Sequence, residues 1–270
     1  MSHLTSTSES QSILKKIYLS FFSPSRYEAK PMERELIEWG NNYRIPFDGG
    51  ELAVTTWGSN DPAVLLMHGW GGARAQMTGF VDALLFAGYR VVAYDQPAHG
   101  ESDGKMTNLL EIAPTMDLIM QKEGPFHAII AHSFGTLITS YALAERNFPP
   151  PARLVYLGAF NRLLDSLPRF QVITGLSDEF MEGLCALLYE NFEREVLEAI
   201  ANEAFVPRIN IPALMFHDVT DYVTPIADSW AIARAWKHAQ LIETEGLDHR
   251  GALQSKSIHE QVVNFLKSKK

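Results

Sequence analysis

Residues 126–135 read Phe-His-Ala-Ile-Ile-Ala-His-Ser-Phe-Gly. The run 126–131 has the continuous apolar character of a strand buried on both faces, and a helical pattern begins at residue 136. Between them lies a small residue, Ala131, then Ser133 and Gly135 in the spacing of a nucleophile elbow, with Ala131 at the place of the usual first glycine. Only small residues fit on either side of so sharp a turn. A serine at its tip is held in a strained conformation, hydroxyl above the sheet, beside a helix N-terminus whose partial positive charge favours a developing anion. Serine is also a common helix cap, so the pentapeptide gains its meaning from what surrounds it.

Working outward, residues 63–67, 90–94, 153–157, 213–217 and 239–243 form similar apolar runs, separated mostly by helical patterns at 76–87, 109–121, 136–146, 226–237 and 257–267. Strands alternating with helices predict an α/β fold: a mostly parallel, doubly wound sheet with helices on both faces. Residues 43–47 and 51–57 flank Asp48-Gly49-Gly50 and predict an antiparallel hairpin at its start. Residues 160–210 break the alternation with helical patterns alone, which predicts a helical cap between two sheet strands. The expected organisation is an N-terminal extension at 1–40, a core at 41–159 and 211–270, and the cap at 160–210. Within the extension, residues 1–12 read as a frayed tail and 13–40 as a partly helical segment packed on the core.

The chain has 270 residues, 46% hydrophobic and 20% charged, which fits one large domain with an insertion and excludes a disordered or fibrous protein. Its net charge of −9 disfavours a nucleic-acid partner. No apolar run is long enough to span a membrane, and the six-residue apolar stretch after Lys15 and Lys16 lacks a cleavage signal. The lone cysteine, Cys185, points to a reducing compartment, the cytoplasm. No histidine pair has metal-ligand spacing, so neither a metal nor a cofactor is expected.

A second strand, 63–67, leaves through His68-Gly69-Trp70-Gly71-Gly72. This turn lacks the Lys-Ser/Thr ending of a phosphate loop and the spacing of a dinucleotide fingerprint. The backbone N–H groups of Trp70 and Phe134 are the candidates for an oxyanion hole, the donor pair that acyl transfer requires where charge develops on a carbonyl oxygen.

With these stretches stand Asp95-Gln96-Pro97-Ala98-His99-Gly100-Glu101-Ser102, His217-Asp218-Val219-Thr220-Asp221 and Asp248-His249-Arg250. In this order, over residues 43–268, the sequence resembles the α/β-hydrolase superfamily. Ala98, Ala131 and Asp218 depart from that pattern at small turn positions where relatives carry glycine. The resemblance implies a serine, acid, histidine order. Ser133 is then the nucleophile and His249, in the loop after the last strand, the base. Asp221, shortly before a Val and a Pro, is the acid implied by family position, with Asp218 its rival. His68 and His99 read as braces for their own loops, His127 and His217 as structural strand residues, and His3, His238 and His259 as exposed.

Such residues imply a serine esterase working through an acyl-enzyme on a small-molecule acyl substrate. The apolar side chains of 160–197 suggest a hydrophobic acyl group, although a helix also needs an apolar stripe simply to pack. A thioesterase or a carbon–carbon bond hydrolase would use the same three residues, and a non-catalytic ligand-binding protein is the reading from a different class.

Overall fold

The computed structural model describes residues 8–59 and 61–268. The strands are β1 (Asn41–Phe47), β2 (Gly50–Trp57), β3 (Ala63–Met67), β4 (Arg90–Tyr94), β5 (Phe126–His132), β6 (Arg153–Leu157), β7 (Ala213–Asp218) and β8 (Ala239–Thr244). They form an eight-stranded sheet in the order β1-β2-β4-β3-β5-β6-β7-β8. β1 pairs with β2, and β2 with β4, antiparallel; every other pairing is parallel. This is the mostly parallel, doubly wound sheet expected from the alternating pattern.

The apolar runs are continuous because alternate residues of each central strand feed different cores. Val64 and Leu66 of β3, with Ala128 and Ile130 of β5, pack under α3 (Val81–Phe86) and α11 (Lys256–Lys267). Leu65 and Met67, with Ile129 and Ala131, face α4 (Leu109–Glu123), α5 (Phe134–Glu145) and α10 (Ile226–Ala235). The helix expected at 76–87 is a 3₁₀ turn over Arg74–Phe80 that passes into α3. Its Gly79 lies against the Leu253 carbonyl, where a side chain would collide.

Between β6 and β7 the chain forms α6 (Ser166–Thr174), α7 (Asp178–Asn191), α8 (Arg194–Ala199) and α9 (Asn202–Phe205), with an isolated bridge from Arg162 to Ala201. A third apolar cluster holds α6, α7 and α8 together: Leu167, Met181, Leu184, Leu188 and Leu197, completed by Ile17 from the N-terminal side of the chain, while α9 packs on α5 and α10 with Phe205 in the core of the sheet.

The N-terminal segment differs from expectation. Residues 8–12, read as frayed tail, belong to α1 (Ser8–Phe21); residues 1–7 lie outside the described residues. An amphipathic pattern hides there behind polar Ser and Gln positions. Instead of packing on the sheet domain, α1 lies on α7, where Leu14 fills the space left by the missing side chain of Gly183. α2 (Pro31–Trp39) does pack on the core, against the 3₁₀ turn and β1. Between α1 and α2, Arg26 donates hydrogen bonds to the carbonyls of Gly100, Ser102 and Gly104, and Thr107 N–H donates to the Phe22 carbonyl at 2.9 Å.

Candidate active site

The carboxyl ends of β3, β5, β7 and β8 bring the sequence-predicted residues to one edge of the sheet, where binding sites of open α/β sheets form. Ser133 stands between the last residue of β5 and the first of α5, with φ 53° and ψ −126°. Such a backbone costs a serine about 1–3 kcal/mol and persists only where its surroundings enforce it. Here the Ser133 N–H donates to the Leu157 carbonyl at 2.9 Å, and its own carbonyl accepts from Thr136 N–H and Oγ1. Two glycines clear the space. A Cβ on Gly69 would lie 2.8 Å from that of Ser133, and one on Gly135 2.5 Å from the His68 carbonyl oxygen.

His249 donates from Nδ1 to Oδ2 of Asp221 at 2.7 Å, which leaves Nε2 as the nitrogen able to accept a proton. Asp221 Oδ1 accepts from Val223 N–H and Thr224 N–H at 2.8 and 2.9 Å, and Oδ2 from Thr224 Oγ1 at 2.9 Å. Burial alone would raise the Asp221 pKa, but the hydrogen bond and charge of His249, with the Thr224 donors, outweigh it and hold the carboxylate below its usual range. Ser133, Asp221 and His249 are all buried. Among the described residues, no hydrogen bond joins Ser133 Oγ to His249; such bonds are commonly long in unliganded sites and tighten around substrate.

Asp218 does not reach His249. Its Oδ1 accepts from Thr220 N–H and Oγ1, and its Oδ2 from Thr244 Oγ1 and Leu247 N–H, both at 2.9 Å. Burial opposes ionisation there too, yet these donors take its pKa down to about 2. Its carboxylate braces the crossing of two loops, while Asp221, three residues on, faces the imidazole.

Trp70 and Phe134 flank the serine, their rings edge to face at 5.6 Å. Phe134 opens α5, so its N–H has no partner within the helix, and among the described residues neither N–H of the pair is bonded to another backbone group. Phe160 extends the aromatic wall, 5.6 Å from Phe134. Most of the other apolar residues in 160–197 pack against one another and α1.

The loop that follows β3 rests on buried polar contacts. His68 Nδ1 donates to the Gly69 carbonyl and its Nε2 accepts from Gln96 N–H. Burial lowers its pKa to about 4. His99 donates to the Pro97 carbonyl, and its pKa falls to about 3, again chiefly through burial. Arg74 pairs with the fully buried Asp95, which also accepts from Glu101 N–H at 2.8 Å. Ala98, at a place where the resemblance implies glycine, has φ 64°, the left-handed conformation that glycine adopts without strain.

Sequence reasoning missed four residues. Gly158, with φ 53°, would put a Cβ 3.3 Å from His249 Nδ1 and 3.4 Å from Asp221 Oδ2; its place directly after a strand was the available signal. Thr224 forms an Asx-type turn with Asp221, readable in Asp-Tyr-Val-Thr-Pro. His132 Nε2 donates to the His249 carbonyl at 2.8 Å. His217, read only as structural, has its Nε2 3.5 Å from Asp221 Oδ2. His259, expected to be exposed, is buried, donating to the Leu253 carbonyl and packed on Phe80, because α11 turns that face to the core. His238 is exposed as expected, and His3 lies outside the described residues. Among the described residues no group of three or more His, Cys, Asp or Glu side chains could hold a metal ion, and no helix is long and apolar enough to cross a membrane.

Residues 62–171 match the family model of the alpha/beta hydrolase fold. The chain is similar to a non-heme haloperoxidase of Rhodococcus erythropolis, 23% identical over 82% of this chain and 97% of that protein. It is similar too to a bifunctional esterase/perhydrolase of Acinetobacter calcoaceticus, 22% identical over 82% and 98%. Among solved structures, an esterase from Pyrococcus furiosus superimposes with a TM-score of 0.66 at 19% identity, covering 91% of this chain and 98% of that one. An esterase from Exiguobacterium antarcticum gives 0.64 at 18%, covering 81% and 96%.

Proposed function

Starting from the α/β-hydrolase fold that this chain has, we propose that it is a serine hydrolase that cleaves a carboxylic ester. The observation that carries the reading is the 2.7 Å contact of His249 with Asp221, at the same sheet edge as a serine with φ 53°. In this mechanism Ser133 Oγ attacks the acyl carbonyl while His249 Nε2 takes its proton; the imidazolium stabilised by Asp221 then protonates the leaving alcohol. Water, deprotonated by His249, hydrolyses the acyl-enzyme and returns Ser133. The N–H groups of Trp70 and Phe134 hold the carbonyl oxygen as it becomes negative. No cofactor enters any step.

Trp70, Phe134 and Phe160 give the site an aromatic wall, which supports a small to medium hydrophobic acyl group. Helices α6–α9, with α1 laid across α7, act as the cap that closes over it. The single Cys185 supports a cytoplasmic setting. A fluorophosphonate probe tests the reading: a stoichiometric adduct on Ser133, lost in Ser133→Ala together with nitrophenyl-ester hydrolysis, is the expected result. An unlabelled serine, under conditions where a control serine hydrolase reacts, would overturn it.

A further inference from the structure

His217 is the last residue but one of β7, with a fully buried side chain. A strand buried on both faces ordinarily carries an aliphatic residue there, because an imbedded imidazole loses its hydration unless both ring nitrogens find partners. Both do. Ser229 Oγ of α10 donates to Nδ1 at 2.7 Å, and Nε2–H donates to the Thr224 carbonyl at 2.8 Å.

Thr224 is the residue that supplies two of the hydrogen bonds to the Asp221 carboxylate, one from its N–H and one from its hydroxyl. The same hydroxyl lies 3.2 Å from His249 Nδ1. A line of contacts therefore runs from Ser229 through His217 and Thr224 to Asp221 and His249. Apolar packing does little to hold this loop, since Val219, Tyr222 and Val223 are 45%, 84% and 38% exposed. Its position depends on polar anchors, and His217 joins it to both the sheet and α10.

We infer that His217 is a positioning residue: by holding the Thr224 carbonyl it keeps Oδ2 of Asp221 aligned on His249. The inference rests on the assignment of Ser133, Asp221 and His249 given above. Asp221 Oδ2 thus lies between two imidazoles, 2.7 Å from His249 and 3.5 Å from His217. The two have different work. Burial lowers the His217 pKa, so this ring stays neutral and leaves the carboxylate's charge to His249.

The test compares His217→Met, which keeps volume but has no donor, with His217→Gln, whose carboxamide can donate to Thr224 and accept from Ser229. Each full-length variant is assayed for nitrophenyl-ester kcat and KM, the rate of Ser133 phosphonylation, and melting temperature. His217→Met is expected to lower kcat and phosphonylation by about 10- to 100-fold, the scale of a small misplacement, with KM within about threefold. His217→Gln should recover most of that loss. A folded His217→Met with wild-type kcat and phosphonylation overturns the inference, as does a folded His217→Gln no faster than His217→Met. If His217→Met does not fold, Ser229→Ala replaces it: reduced kcat at unchanged KM supports the inference, and wild-type kcat overturns it. Failure of the wild-type protein to label at Ser133 is a different result, and removes the underlying assignment instead.

Discussion

His132 and His249 are joined at 2.8 Å, the Nε2–H of one donating to the main-chain carbonyl of the other, with ring centroids 4.6 Å apart. The residue just before Ser133 thereby fixes the backbone that carries the proposed base, across 117 positions of sequence. His132→Ala should lower kcat by about tenfold with little change in KM, since a loosened imidazole spends less time in reach of Ser133. Steady-state kinetics on a short nitrophenyl ester measures this. Equal kcat in a folded variant would show that the tie has no part in placing His249.

Asp221 and Asp218 differ in what they face, and their asparagine variants should differ in kind. Asp221→Asn replaces an acceptor of the His249 Nδ1 proton, and a loss of about 10³- to 10⁴-fold in kcat is expected. Asp218→Asn weakens the brace to Thr220, Thr244 and Leu247, which should lower the melting temperature by several degrees at nearly unchanged kcat. Exchange of the two phenotypes would reverse the assignment of the acid.

Acid should weaken the fold before most carboxylates titrate. Burial depresses the pKa of His68 to about 4, and of His99 and His132 to about 3. An unfolded histidine takes a proton near pH 6.5. Between that pH and the folded values the unfolded chain binds more protons, so stability is complete above about pH 6.5 and falls on acidification. Each ring contributes up to about 1.4 kcal/mol per pH unit in that window. Asp218, held at about 2, adds a further loss as pH falls from its unfolded value toward that point. Urea midpoints from pH 8 to 4 give the slope; a flat profile between pH 6.5 and 4.5 would contradict it.

The N-terminal segment should be thermodynamically part of the folded unit. Ile17→Asp places a charge in the cluster formed with Leu184 and Leu188, with an expected loss of about 2–4 kcal/mol. Arg26→Ala removes three carbonyl contacts and should expose residues 97–107 to protease with a smaller change in melting temperature. Limited proteolysis followed by mass mapping distinguishes the two variants.

The sheet is legible in the sequence because β3 and β5 are apolar at every position that feeds the two cores. β8 also reads clearly, although this edge strand is only partly covered. What escapes the sequence depends on side-chain meetings between distant segments. Asp218 and Asp221 share one loop, and spacing alone cannot rank them; Thr244 and Leu247, from the β8 side, capture the first and leave the second for His249. His217 looks like any strand histidine until Ser229 and Thr224 close around it. Ser8 to Ser12 reads as tail because the apolar partners of α1 come from the middle of the chain.

That last separation has a consequence for biogenesis. Roughly 170 residues divide Leu14 from Gly183, so at about 5–20 residues per second the first helix leaves the ribosome some ten to thirty seconds before its seat exists. α1 is made before its partner α7 and must wait for it, whereas α10 and α11 are made after that seat. A nascent chain stalled before residue 183 would therefore present α1 undocked, its apolar side free for a chaperone, while one from which α7 and α8 have both emerged would already have buried it.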